Sequence, residues 1–95
     1  MIKNRDTVTQ ALKVVDDLSI PITVAARVFG VTRKTYYNWK DGGGISNDMM
    51  ASTVRRITLL MVMAKKARTL PLPPSFEGDQ RIEISRILRE QASTS

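Results

Sequence analysis

The chain has 95 residues, 42% of them apolar, which suits one small hydrophobic core and not two. It contains no cysteine and no histidine, so disulfides, thiolate metal sites and imidazole-based ligation or proton transfer are excluded. Lys and Arg number 15 against 9 Asp and Glu, a net charge of +6, which points to a polyanionic partner: nucleic acid first, an anionic membrane surface second.

Helical spacing dominates, and no sustained alternation suggests strands. Val8, Ala11, Leu12, Val15 and Leu18 recur at steps of three and four, predicting a first helix capped by Asp6 or Thr7. Ser19-Ile20-Pro21 breaks it, and Pro21 is suited to open a second helix, where a missing N–H costs nothing. That helix runs to Phe29 and ends at Gly30, the residue that most easily takes the left-handed turn. Thr32 then caps a third helix reaching about Lys40, where the glycines of DGGG stop it. Ser46 or Asn47 caps a long fourth helix, 47–68, with a stripe of Met50, Val54, Ile57, Met61 and Ala64. Leu59, Leu60, Val62 and Met63 widen its apolar surface almost all round. Lys65, Lys66 and Arg68 suit its negative end. TLPLPPSFEG reads as an extended connector. Asp79 caps a last helix in which Ile84, Ile87, Leu88 and Gln91 share a face. The expected architecture is therefore an all-α bundle of about five helices. Residues 1–68 carry the principal domain, 69–79 the proline-rich connector, and 80–95 a C-terminal helical extension.

Four of the five aromatic residues, Phe29, Tyr36, Tyr37 and Trp39, crowd between the second helix and the end of the third, beside Arg27, Arg33, Lys34 and Lys40. Two helices crossing steeply over a short turn need a small residue at the crossing, which Ala26 supplies, and a positive φ at the turn, which Gly30 supplies. Phe29, Val31, Tyr36 and Trp39 then point inward. The outward residues of the third helix are Thr32, Arg33, Lys34, Tyr37 and Asn38, with Asp41 a marginal member. Arg33 or Lys34 matches guanine O6 and N7, and Asn38 matches adenine N6 and N7. Tyr37 suits a phosphate or a thymine methyl, although core packing is an equal use for it. Thr23, at the start of the second helix, and Lys40 suit phosphate contacts.

TVAARVFGVTRKTYYNWK (23–40) resembles the helix-turn-helix of phage and plasmid repressors in the lambda-repressor and Cro-like group: an alanine, a glycine, a small polar cap and an aromatic near the end of the recognition helix. The base-reading positions of that group fall on the outward set just named. Tyr36 is bulkier than the β-branched residue usual at its place, and the chain beyond Leu70 has no counterpart in the group. The resemblance implies a transcriptional repressor.

Double-stranded DNA is the expected partner, read as an inverted repeat by a homodimer paired through helix 47–68 and, in second place, 80–92, because one recognition helix covers few base pairs. An excisionase-like or DNA-packaging module is the nearest rival. An antitoxin or adaptor that binds a partner protein through 70–95 comes from another class. An enzyme is not expected without His, Cys or a credible acid–base cluster, and no cofactor is implied. MIKNRDTVTQ lacks the apolar region of a secretory signal, and LLMVM (59–63) is too short to span a bilayer, so a cytoplasmic protein without membrane attachment is expected.

Overall fold

The computed structural model describes residues 3–94. Five helices follow one another: α1 (Arg5–Asp17), α2 (Ile22–Phe29), α3 (Arg33–Lys40), α4 (Asp48–Lys66) and α5 (Gln80–Thr94). The described residues contain no strand, and none of their helices is long and apolar enough to cross a membrane. The fold class read from the sequence is the one observed.

Most boundaries have a local cause. Pro21 stands immediately before α2 with φ −60°, one place earlier than expected and already fixed near helical geometry. At the other end Gly30 takes φ 77°. Its N–H reaches Arg27 O at 3.1 Å, and that of Val31 reaches Ala26 O at 2.9 Å. Nothing crowds a Cβ at this position, so the backbone conformation alone calls for glycine. Thr32 Oγ1 accepts from Thr35 N–H at 3.1 Å, Asn47 Oδ1 from Met50 N–H at 2.9 Å, and Asp79 Oδ1 from Arg81 N–H at 2.9 Å. Each satisfies a donor that its helix leaves open. The start of α1 departs from expectation. It begins at Arg5, behind a left-handed Asn4 whose side chain caps nothing in the helix.

α4 is the central element, with α1 on one side and α5 and α2 on the other. It buries Ala51, Val54, Thr58, Met61 and Ala64, so the expected stripe is rotated: Met50 and Ile57 lie half-buried at its flank. Thr58 is tolerated inside because its Oγ1 donates to Val54 O at 2.8 Å. Two packed sides also account for the wide apolar surface. Ile57, Leu60 and Val62 all lean on this chain's own core.

The C-terminal helix is part of that core and not an appendage to it. Ile84, Ile87 and Leu88 are buried in one cluster with Phe29, Val54 and Met61, and the connector adds buried Leu70 and half-buried Leu72. The radius of gyration, 12.9 Å, is near the roughly 12 Å of a fully compact chain of this length; no segment trails away. Residue 68 therefore marks a change of backbone style without a break in packing. The apolar area that suggested pairing through 47–68 is largely covered from within. Among the described residues the large apolar side chains left exposed are Tyr37, Met49, Leu59 and Ile82, distributed over three helices, and scattered exposures of this kind need no partner.

Ile84, 1% exposed, should carry a full core penalty. Ile84→Ala is expected to lower unfolding free energy by about 2–5 kcal/mol, read from urea denaturation by circular dichroism. A chain ending at residue 68 is expected to lose its cooperative transition.

Candidate nucleic-acid interface

α3 lies against α2 and α1, and a wedge of three rings fixes it there. Phe29, Tyr36 and Trp39 are each 2% exposed. The rings of Phe29 and Trp39 meet edge to face, centroids 6.0 Å apart at 72°, and Tyr36 lies 5.8 Å from Trp39 at 49°. Such pairs contribute about 0.5–1.5 kcal/mol each beyond the area they bury. Ala25 and Ala26 are buried beneath them, leaving room for the rings. Val31, expected inside, is half-buried at the turn.

Tyr37 follows Tyr36 in the chain, points the opposite way and is 50% exposed. This separates two residues that composition alone cannot tell apart. With Arg33, Lys34 and Asn38, also exposed, it forms one outward stripe at helical spacing, 33 with 37 and 34 with 38. Lys40 continues the stripe at its C-terminal end and Asp41 borders it. Thr32 lies at its start, but its hydroxyl is engaged in the cap, accepting from Thr35 N–H and donating to Thr35 Oγ1 at 3.1 Å. Its observed use is as a helix cap. Thr23 is exposed on the first turn of α2, away from the stripe.

The electrostatics of the unit are one-sided. Residues 18–40 contain Arg27, Arg33, Lys34 and Lys40 and no carboxylate, in a chain whose net charge is +6. Among the described residues none of those four cations enters an ion pair: the pairs found are Lys3–Asp48, Lys65–Asp17, Arg81–Asp79 and Arg86 with Glu83 and Glu90. Unpaired cations beside exposed amide and phenol groups can bind an anionic backbone and donate to base edges. No group of three or more acidic residues suited to a metal ion occurs among the described residues.

Two residues that local sequence patterns do not single out hold the far end of α3. Arg5 Nη1 donates to Trp39 O at 2.6 Å and to Gly43 O at 2.8 Å. The guanidinium thus satisfies a carbonyl at the helix end, where the dipole favours a cation. Beside it Asn4 Nδ2 donates to Ile45 O at 2.7 Å, and Ile45 N–H donates to Lys3 O at 2.9 Å. Gly43 N–H closes back on Asn38 O at 2.8 Å, and a Cβ on Gly43 would lie 2.8 Å from that same oxygen. The glycine run is therefore a fitted turn, clamped by residues 3–5. Arg5 and its carbonyl partners are 34 and 38 positions apart, so only the folded chain reveals the clamp.

Comparison with protein-family models, with curated proteins and with solved structures finds no match to this chain.

Burial pushes the Tyr36 phenol from 10.0 up to about 12, and the Asp16 carboxylate adds to the shift. The unfolded chain loses this proton first as pH rises, so the contribution to stability is complete below pH 10 and is lost towards pH 12. Denaturation midpoints are expected to fall across that window, and Tyr36→Phe to remove the tyrosine part of the fall. For the clamp, Arg5→Gln is expected to speed amide exchange at Gly43 and around Trp39 in the free protein while exchange in α5 is unchanged, as read by NMR.

Proposed function

We propose that α2, the turn at 30–32 and α3 act as a helix-turn-helix that reads duplex DNA, with α3 in the major groove. The observation that carries this reading is the outer stripe of α3: Arg33, Lys34, Tyr37 and Asn38 are exposed, the two cations without ion-pair partners among the described residues, on a helix whose inner side is locked by three rings. Arg33 or Lys34 reads guanine, Asn38 reads adenine, and Tyr37 meets a thymine methyl or a phosphate. Lys40 and Thr23 contact the backbone and set the register. The resemblance of residues 23–40 to the phage and plasmid repressor group supports a regulatory role in which occupancy of the site blocks transcription.

Two copies on an inverted repeat give the contact area that one short helix lacks. Because α4 packs its apolar surface on α1, α2 and α5, we infer that pairing takes place on the DNA, each copy entering its own half-site as a monomer.

Selection of bound fragments from random-sequence DNA tests the reading; recovery of no consensus contradicts it. With the selected site in hand, binding is expected to weaken steeply with salt. Arg33→Ala is expected to cost about 1–3 kcal/mol and to relax preference at one base position, whereas Lys40→Ala weakens all sequences alike and lowers the salt slope by about 1. Light scattering is expected to give a monomer free in solution and two copies per inverted repeat.

A further inference from the structure

On another side of the molecule α4 and α5 leave a groove with Val28 of α2 at its end. Ile57, Leu60 and Leu88 provide an apolar floor, and Arg56 and Arg89 line it as exposed cations. The state of those two arginines is what distinguishes this groove. Elsewhere on α5 the arginines are neutralised by neighbours: Arg81 by Asp79, and Arg86 by Glu83 and Glu90 at 2.6 and 2.7 Å. Arg55, one position before Arg56, donates to Thr7 Oγ1. Among the described residues the guanidiniums of Arg56 and Arg89 have no hydrogen-bond or ion-pair partner, and Arg89 bonds only through its main chain, its carbonyl accepting from Ser93 Oγ at 3.1 Å. They flank the floor from two different helices. The wider grooves differ: the one between α1 and α4 shares Arg56 at its border but is lined by Asp6 as well as Arg55, and the one behind α3 has no charged lining residue.

We propose that this groove is a docking surface for an acidic amphipathic helix of a partner protein, whose apolar side chain seats on Ile57, Leu60 and Leu88 while carboxylates on either side pair with Arg56 and Arg89. The shape and the charge both restrict the occupant. At about 230 Å³ the cavity is smaller than the roughly 300–1,000 Å³ of small-molecule pockets, yet it accepts an anchoring side chain of the helix-in-groove kind. A nucleic-acid backbone satisfies the arginines but leaves the apolar floor uncovered. A neutral apolar peptide covers the floor but leaves both guanidiniums without counter-charge. An acidic amphipathic helix meets both demands. This surface does not depend on the DNA-reading assignment, and it makes the chain an adaptor whose second partner is a protein.

The test uses the full chain, isotope-labelled for NMR, and three dye-labelled amphipathic peptides of about four helical turns. All have leucines on one face; the flanking positions are glutamate, glutamine or lysine. The glutamate peptide is expected to shift the signals of Ile57, Leu60 and Leu88. It should also bind about tenfold tighter than the glutamine peptide, the effect of two partly exposed ion pairs. Arg56→Glu combined with Arg89→Glu is expected to reverse the order and favour the lysine peptide. If charge reversal unfolds the chain, the milder Arg56→Gln with Arg89→Gln must abolish the glutamate preference. Equal binding of all three peptides, no binding of any, or a preference unmoved by either variant overturns the proposal. So does a result in which duplex DNA, and not the glutamate peptide, shifts these signals and is weakened on every sequence by the double variant.

Discussion

The contact between the rings of Phe29, Tyr36 and Trp39 is the constraint from which the rest follows. α3 has only 8 residues, too few to be helical alone in water, and α2 has no more. Neither element exists without the other, and the rings are the largest apolar surface they share. Once Trp39 is buried, its carbonyl lies at the end of a short helix, where it accepts from Gly42 N–H at 3.2 Å and, more closely, from Arg5 Nη1 at 2.6 Å. The same guanidinium reaches Gly43 O, so the turn after α3 and the chain before α1 are tied by one group. The helix is held at its start by the Thr32 cap, along its inner face by the rings, and at its end by the clamp. Its outer face is left free for chemistry.

That division explains why aromatic and cationic residues are interleaved in one short stretch. A helix that must be rigid and also present charge has to alternate at helical spacing between side chains that pack and side chains that reach out. Tyr36 and Tyr37 illustrate it: one is buried with its phenol pushed up to about 12, the other is half exposed. The two jobs differ in physics as well as direction. The inner residues act through dispersion and desolvation, which ions do not screen, whereas the outer ones act through screened charge and directional hydrogen bonds.

Much of this was legible in the sequence where local chemistry decides. Gly30, Thr32, Asn47 and Asp79 end or cap helices through atoms within a few positions of themselves, and each was readable. The outward set on α3 followed from spacing once the rings were assigned inward. What the sequence hid was long-range. The start of α1 moved because Asn4 and Arg5 bond to a turn about forty residues on. The buried stripe of α4 rotated from Met50 and Ile57 to Ala51 and Thr58 because two neighbouring layers, not one, choose its faces. The prolines of 71–74 suggest an extended connector to a C-terminal extension, yet a connector that is irregular in backbone can still be buried in side chain, as Leu70 is. That one tertiary fact also accounts for much of the apolar surface of α4, where Ile57, Leu60 and Val62 pack on this chain's own core.

Most direct for the account as a whole is an NMR measurement of contacts between the isotope-labelled chain and the DNA site selected for it. The account predicts cross-peaks from Arg33, Lys34, Tyr37 and Asn38 to major-groove base protons, with the Trp39 indole signal unmoved because the wedge beneath does not rearrange. Cross-peaks from any other face of the molecule, with the α3 signals unaffected, would contradict it.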